Sequence, residues 1–265
     1  MINKYFEFVQ ADLEPIKSFY IKDELNPKIW NKFEINKEIR IKLLKIGEDF
    51  YSELELNADV LDIVLVGSLC NYNWSEKYSD FDLHVIIKYS DIDDNLELVE
   101  KYCDYAKKIW NVQHEIQIEK YDVEIMLQDI NSLKEGIETD KIGGAYSILK
   151  DKWVKMPKKV DFIPDEKGIQ EKAKTIMSKI DDIEDSSEDS YDALKEKIKK
   201  VWTKVKDCRK SGLDSEGGEF STGNLVFKLL RRNGYIGKVM KLKRDAYDKQ
   251  FESLNEDEIL NYYTL

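Results

Sequence analysis

A Gly-Ser pair between two β-branched runs constrains this chain more than any other feature. Leu61-Asp62-Ile63-Val64-Leu65-Val66 has the length and composition of a buried strand, and it stops at Gly67-Ser68. After eleven further residues the chain enters Asp80-Phe81-Asp82-Leu83-His84-Val85-Ile86-Ile87, a second strand. Alternation puts Phe81, Leu83, Val85 and Ile87 on one face, and Asp80, Asp82 and His84 on the other. Two carboxylates at i and i+2 on a strand point the same way. A third acid, Glu124, lies within Val123-Glu124-Ile125 on a later strand segment. Asp122 shares its face by parity and is the alternative third acid, although it falls at a turn.

The surrounding pattern is mixed. Asn36 reads as an N-cap, and behind it Ile39, Leu43, Ile46, Phe50 and Leu54 recur at helical spacing. A helix is expected from Leu69 to Tyr78, directly after the Gly-Ser turn. Another carries the stripe Leu96, Val99, Cys103, Ala106 and Trp110. Residues 115–119 and 123–128 read as two strands of a hairpin, with Lys120-Tyr121-Asp122 between them. Pro157 and Pro164 flank a linker. Beyond it Tyr191, Leu194, Ile198, Val201, Val205 and Cys208 form one helical stripe. A second helix runs from Ser221 to Asn233-Gly234, and a third begins near Ile236. The acidic stretch 181–190 reads as a loop. The expected fold class is α/β (α+β): a mixed-sheet domain over 1–158 and a helical domain over 159–265.

Of the 265 residues, 42% are hydrophobic and 36% charged, which supports a folded core and gives no support to wholesale disorder. The net charge of −11 argues against a nonspecific duplex-DNA binder acting through overall charge. The charge is uneven, however. Residues 195–250 hold 16 Lys and Arg against 7 Asp and Glu, a net of +9 and a candidate surface for phosphates. No apolar run is long enough to span a bilayer, and Met1-Ile2-Asn3-Lys4 opens no signal peptide. Cys70, Cys103 and Cys208 show no zinc spacing and no CxxC, so reduced thiols in a cytoplasmic protein are expected.

Three acids on one sheet face repel one another unless a cation neutralises them, and magnesium suits carboxylate and phosphate oxygens. The Gly-Ser turn lets a backbone approach phosphate closely and adds a hydroxyl. L-V-G-S, the spacer, D-F-D-L-H-V and D-V-E-I together resemble the DNA polymerase β-like nucleotidyltransferase superfamily over about a quarter of the chain. The resemblance implies that Gly67 and Ser68 hold the β and γ phosphates of a nucleoside triphosphate. It implies that Asp80 and Asp82 bind two magnesium ions, with manganese as a substitute. It assigns Glu124 to the catalytic ion, helping to lower the pKa of the attacking hydroxyl. The implied reaction moves a nucleotide to a hydroxyl acceptor, with pyrophosphate release. A nucleotide or oligonucleotide acceptor fits the +9 stretch, as in synthesis of a linear or cyclic oligonucleotide for antiviral defence. The alternatives are a nucleotidyltransferase that modifies tRNA or protein, a hydrolase using the same acids, and an inactive nucleotide-binding or antitoxin module.

Other residues read more plainly. His84 and His114 are expected to be hydrogen-bonded structural histidines. Asp91-Ile92-Asp93 is a turn, 143–147 a plain loop, and Tyr72, Trp74 and Tyr78 are packing residues. Lys199, Lys200, Lys204, Arg209, Arg231 and Arg232 are candidates to grip phosphate, against the plainer role of solvated helix faces. Tyr262-Tyr263 belongs to a docked or frayed tail. No P-loop, nucleophile-elbow or zincin motif occurs.

Overall fold

The computed structural model describes residues 13–186 and 191–252. Residues 187–190 and Tyr262-Tyr263 lie outside the described residues. The described chain divides into a sheet unit, Ser18–Ile163, and a helical unit made of residues 13–17 and 164–252. The expected boundary after residue 158 thus falls after Ile163, and α1 (Leu13–Lys17) joins the helical unit.

The sheet unit opens with a small ribbon, β1 (Trp30–Asn31) and β2 (Glu34–Ile35). α2 (Lys37–Glu53) follows. Its N-cap is Asn36, whose side chain accepts hydrogen bonds from the Glu38 and Ile39 amides. That contact satisfies two donors a helix start would otherwise leave open. β3 (Asp62–Val66) is buried throughout, and β4 (Phe81–Ile87) pairs with it antiparallel. α3 (Leu96–Gln113) then carries the chain to β5 (Gln117–Ile118) and β6 (Tyr121–Asp129). β6 lies parallel to β4, and a parallel pair needs a crossover such as α3. α4 (Ile130–Glu138), β7 (Ala145–Ser147) and β8 (Lys152–Lys155) complete a six-stranded mixed sheet in the order β5-β6-β4-β3-β7-β8.

The two sheet faces are treated differently. On one, Leu65, Leu83, Val85, Ile125 and Leu127 pack with Ile39, Leu43 and Phe50 of α2 and Val99, Cys103 and Trp110 of α3. On the other, Val64, Val66 and Ile86 pack with Leu133 of α4 and with Ala145. This second face carries Asp82 and Glu124 further along. The hairpin forms as expected but turns at Glu119-Lys120 rather than over three residues, with φ of 52° and 70° at the two centres. Positive φ at both central residues matches the right-handed twist of the strands.

The segment 143–147 is not a plain loop. Ala145–Ser147 forms β7, and Ser147 Oγ donates to the buried Asp62 carboxylate at 2.6 Å. A Cβ on Gly144 would sit 2.0 Å from the Cys70 carbonyl oxygen, so this strand enters directly against the turn after β3. Gly144→Ala is therefore expected to destabilise the sheet unit by about 2–3 kcal/mol, the scale of overpacking, measurable as a lower urea midpoint at unchanged m-value.

In the helical unit, α5 (Glu166–Asp185), α6 (Tyr191–Leu213) and α8 (Tyr235–Glu252) all pack on α7 (Thr222–Arg232), whose Leu225, Val226, Phe227, Leu229 and Leu230 are buried. The expected loop at 181–190 needs correction. Through Asp185 it is the last part of α5, because Ile180 and Ile183 continue the buried stripe of Ile169, Ala173 and Ile176. Two of its acids are also paired: Asp181 accepts from Tyr235 Oη at 2.9 Å, and Glu184 lies 2.6 Å from Lys238 Nζ. No helix among the described residues is long and apolar enough to cross a membrane.

Candidate metal centre

Burial of Phe81 fixes the phase of β4. Its ring packs edge-on against Tyr121 at 6.0 Å, so Asp82 must turn to the opposite face. β6 then supplies the third acid by register. Asp82 of β4 is paired directly with Glu124 of β6 in the parallel ladder. Asp80 sits one residue ahead of β4. Asp80, Asp82 and Glu124 each present a carboxylate oxygen, and these oxygens lie within 4.8 Å of one another. They could hold a metal ion. Like charges this close repel, and a bound cation would offset that repulsion. A donor set made only of carboxylates suits hard cations.

Asp122 does not join the group. It is exposed, and its Oδ1 accepts from Gln117 Nε2 across the hairpin at 2.6 Å.

Gly67 closes the other side of the centre. Its backbone is at φ 77°, ψ −162°, and a Cβ there would lie 1.8 Å from Asp82 Oδ2. Only glycine lets the chain turn there and pass this close to the carboxylate. Ser68 follows, its Oγ 2.7 Å from Ser79 Oγ, which in turn accepts from the Ser75 amide at 2.9 Å. This hydroxyl bridge ties the turn to the residue before Asp80.

The expected helix from Leu69 to Tyr78 is absent. One 3-10 turn, Ser68–Cys70, takes its place, and the chain then runs irregularly to β4. Asn71, whose Oδ1 accepts from the Tyr72 amide, and Ser79, whose Oγ accepts from the Ser75 amide, compete for the backbone groups a helix would need. The turn therefore opens no α-helix of its own.

Around the centre, structural roles account for most side chains. His84 Nδ1 lies 2.7 Å from Gln128 Oε1, and burial pushes its pKa down to about 4. His114 stacks on Trp110, with Nδ1 3.2 Å from the Trp110 carbonyl. Cys70 is buried and its Sγ donates to the Leu65 carbonyl at 3.3 Å. Burial first, then the Asp82 charge, pushes this thiol up and keeps it inert. Cys103 and Cys208 are likewise free thiols held up by burial. Tyr72 and Trp74 pack on the core, and Trp74 Nε1 donates to the Glu24 carbonyl at 2.9 Å. Lys77 lies over the Tyr78 ring at 5.3 Å. Asp91 ends a 3-10 turn, and Asp93 accepts from the Asn95 amide, as a turn requires.

The basic residues belong to the helical unit. Lys199, Lys200 and Lys204 are exposed on α6. Arg209 lies over the Phe227 ring at 4.5 Å, and Arg232 donates to the Pro15 carbonyl at 3.2 Å. Arg231 and Arg232 share a face of α7 with Lys228, whose pKa is lowered by burial and then by these arginines. Lys228 is a residue that sequence reasoning misses. Its spacing of three and four from two arginines is the available signal.

No family model, no curated protein and no solved structure matches this chain.

Proposed function

We propose that this chain is a magnesium-dependent nucleotidyltransferase. It would move a nucleoside monophosphate from a triphosphate to the hydroxyl of a nucleotide or oligonucleotide acceptor. One observation carries the reading: Asp80, Asp82 and Glu124 offer oxygens within 4.8 Å of one another, beside a glycine that tolerates no side chain against Asp82. The resemblance to the polymerase β-like superfamily rests on the same residues.

Asp80, Asp82 and Glu124 would hold the magnesium, which when bound offsets phosphate charge and lowers the pKa of a hydroxyl. The chain's own groups do the rest. Gly67 lets the turn pass close beside Asp82, and Ser68 next to it would offer a phosphate a hydroxyl donor. The three carboxylates fix where the α-phosphate and the acceptor meet. The acceptor oxygen bonds to the α-phosphorus, the bond to the bridging oxygen breaks, and pyrophosphate leaves with that electron pair. The hydroxyl proton passes to solvent.

The test is incubation of the full chain with each NTP and dNTP plus magnesium, followed by pyrophosphate measurement and product mass. Pyrophosphate release lost in Asp80→Ala supports the reading. Inorganic phosphate in place of pyrophosphate would make the chain a hydrolase. Nucleotide binding without turnover would make it a binding module. The third acid has its own check. Asp122→Asn should leave transfer within about twofold of the parent, because its carboxylate engages Gln117. Glu124→Gln should lower transfer by about a hundredfold or more, through loss of a charged ligand.

A further inference from the structure

Between α6 and α8 of the helical unit lies a groove of about 630 Å³. Its floor is apolar, with Ile198 and Ala246 buried. Trp202 of α6, half-buried, and Tyr247 of α8, 60% exposed, line it. Lys199 and Lys206 line one side, and Lys243 and Arg244 the other. Lys195 adds a fifth cation at one end, its ammonium 5.4 Å from the centre of the Tyr191 ring. No Asp or Glu lines the groove among the described residues. Two of the cations have acidic neighbours on their own helices, Glu196 at 3.7 Å from Lys199 and Asp245 at 4.0 Å from Arg244. Such exposed pairs contribute little and remain free to exchange partners.

We infer that this groove binds single-stranded nucleic acid, with bases stacked on Trp202 and Tyr247 and phosphates held by the lysines and Arg244 on either side. Three features select that occupant. The cations flank the rings from both helices, which is the arrangement a strand with a charged backbone and flat bases requires. The volume is that of a site for a molecule of nucleotide size, so one or two bases can enter. A duplex would keep its bases stacked inside and leave the rings without partners. The complementarity is local: this surface is cationic within a chain whose net charge is −11. The groove's role in delivering an acceptor rests on the transfer reaction proposed above, whereas its occupancy does not.

Fluorescence anisotropy of labelled 12-nucleotide single-stranded RNA and DNA, titrated with the full chain across a salt series, tests this. Micromolar binding is expected, with log K falling against log salt at a slope of about −2 to −4 for three to five phosphate contacts. Lys199→Glu with Lys243→Glu should weaken binding at least tenfold and make the slope shallower by about 1.5. Trp202→Ala should weaken it about tenfold, while Trp202→Phe, which keeps a stacking face, restores most of the affinity. Trp202 is the tryptophan of the helical unit, the other four lying at 30, 74, 110 and 153. Its emission should therefore quench on binding, and the Trp202→Phe protein should lose that change.

Binding that survives both the charge reversal and Trp202→Ala would overturn the inference. So would equal affinity for duplex, anionic phosphatidylserine vesicles bound in preference to RNA, or a dimer of the chain that the same substitutions dissociate. Asp82→Asn should bind RNA like the parent. Binding without any transfer would leave the groove standing and remove the enzyme reading, and transfer without binding would do the reverse.

Discussion

Asp82→Asn is expected to lower pyrophosphate release by about three orders of magnitude while leaving the fold intact. The substitution conserves volume and removes one formal charge from the middle of the acidic group. Asp82 is the member paired in register with Glu124 and apposed to Gly67, so no neighbour can take over its place. Losing a charged ligand at a site where a metal offsets phosphate charge forfeits several kcal/mol of transition-state stabilisation. About 4 kcal/mol corresponds to the thousandfold loss. The effect on stability is small by comparison. Three like charges within 4.8 Å repel in the metal-free protein, and removing one relieves part of that strain. Metal-free Asp82→Asn should remain folded, with a melting temperature close to the parent's. Magnesium should raise the melting temperature of the parent in a concentration-dependent way and leave the variant unmoved, because only the parent gains binding free energy. A variant that retains transfer, or a parent whose melting ignores magnesium, would count against the metal centre itself.

The parts of the site that can be read from sequence are those fixed by strand alternation. Phe81, Leu83, Val85 and Ile87 define a buried face, and Asp82 follows on the other. Glu124 is reachable by the same logic, since Val123 and Ile125 are both buried. What alternation cannot supply is the partner strand. The parallel pairing of β4 with β6 puts Glu124 beside Asp82, and Asp122 is left to the hairpin through Gln117. The stretch after Gly67-Ser68 misleads because apolar and aromatic residues there look like a helical face. The side chains of Asn71 and Ser79 accept from local backbone amides instead, those of Tyr72 and Ser75. The acidic end of α5 misleads in the opposite sense, because charge draws attention from Ile180 and Ile183. The clamp on Lys238 comes from a helix more than fifty residues away in sequence. The groove on α6 and α8 is legible only as net charge. Its depth depends on two helices meeting, and the pattern of either helix alone does not carry that.

Gly67→Ala should be the most damaging substitution that touches no charge. Two separate penalties meet at this residue. Its φ of 77° with ψ of −162° is a conformation that residues with a Cβ scarcely adopt, costing about 1–3 kcal/mol. The added Cβ would also meet Asp82 Oδ2 at 1.8 Å, and that contact can be relieved only by moving the turn or the carboxylate. Moving the carboxylate draws Asp82 away from Asp80 and Glu124. A displacement of about 1 Å at such a site is enough for a hundredfold loss of rate. Gly234→Ala separates the two penalties. Gly234 has a φ of 79°, and an added Cβ there would meet nothing within 4 Å, so its substitution carries backbone cost alone. It should lower stability by about 1 kcal/mol and leave transfer unchanged. Gly144→Ala supplies the converse control, a steric clash against the Cys70 carbonyl rather than against an acid. If Gly67→Ala loses at least a hundredfold in transfer and its magnesium-dependent melting shift, while Gly234→Ala loses only stability, the close approach to Asp82 is what the glycine is for. If Gly67→Ala keeps its magnesium response and its activity, the carboxylate has room the present geometry does not give it, and Asp82 is not held by the turn.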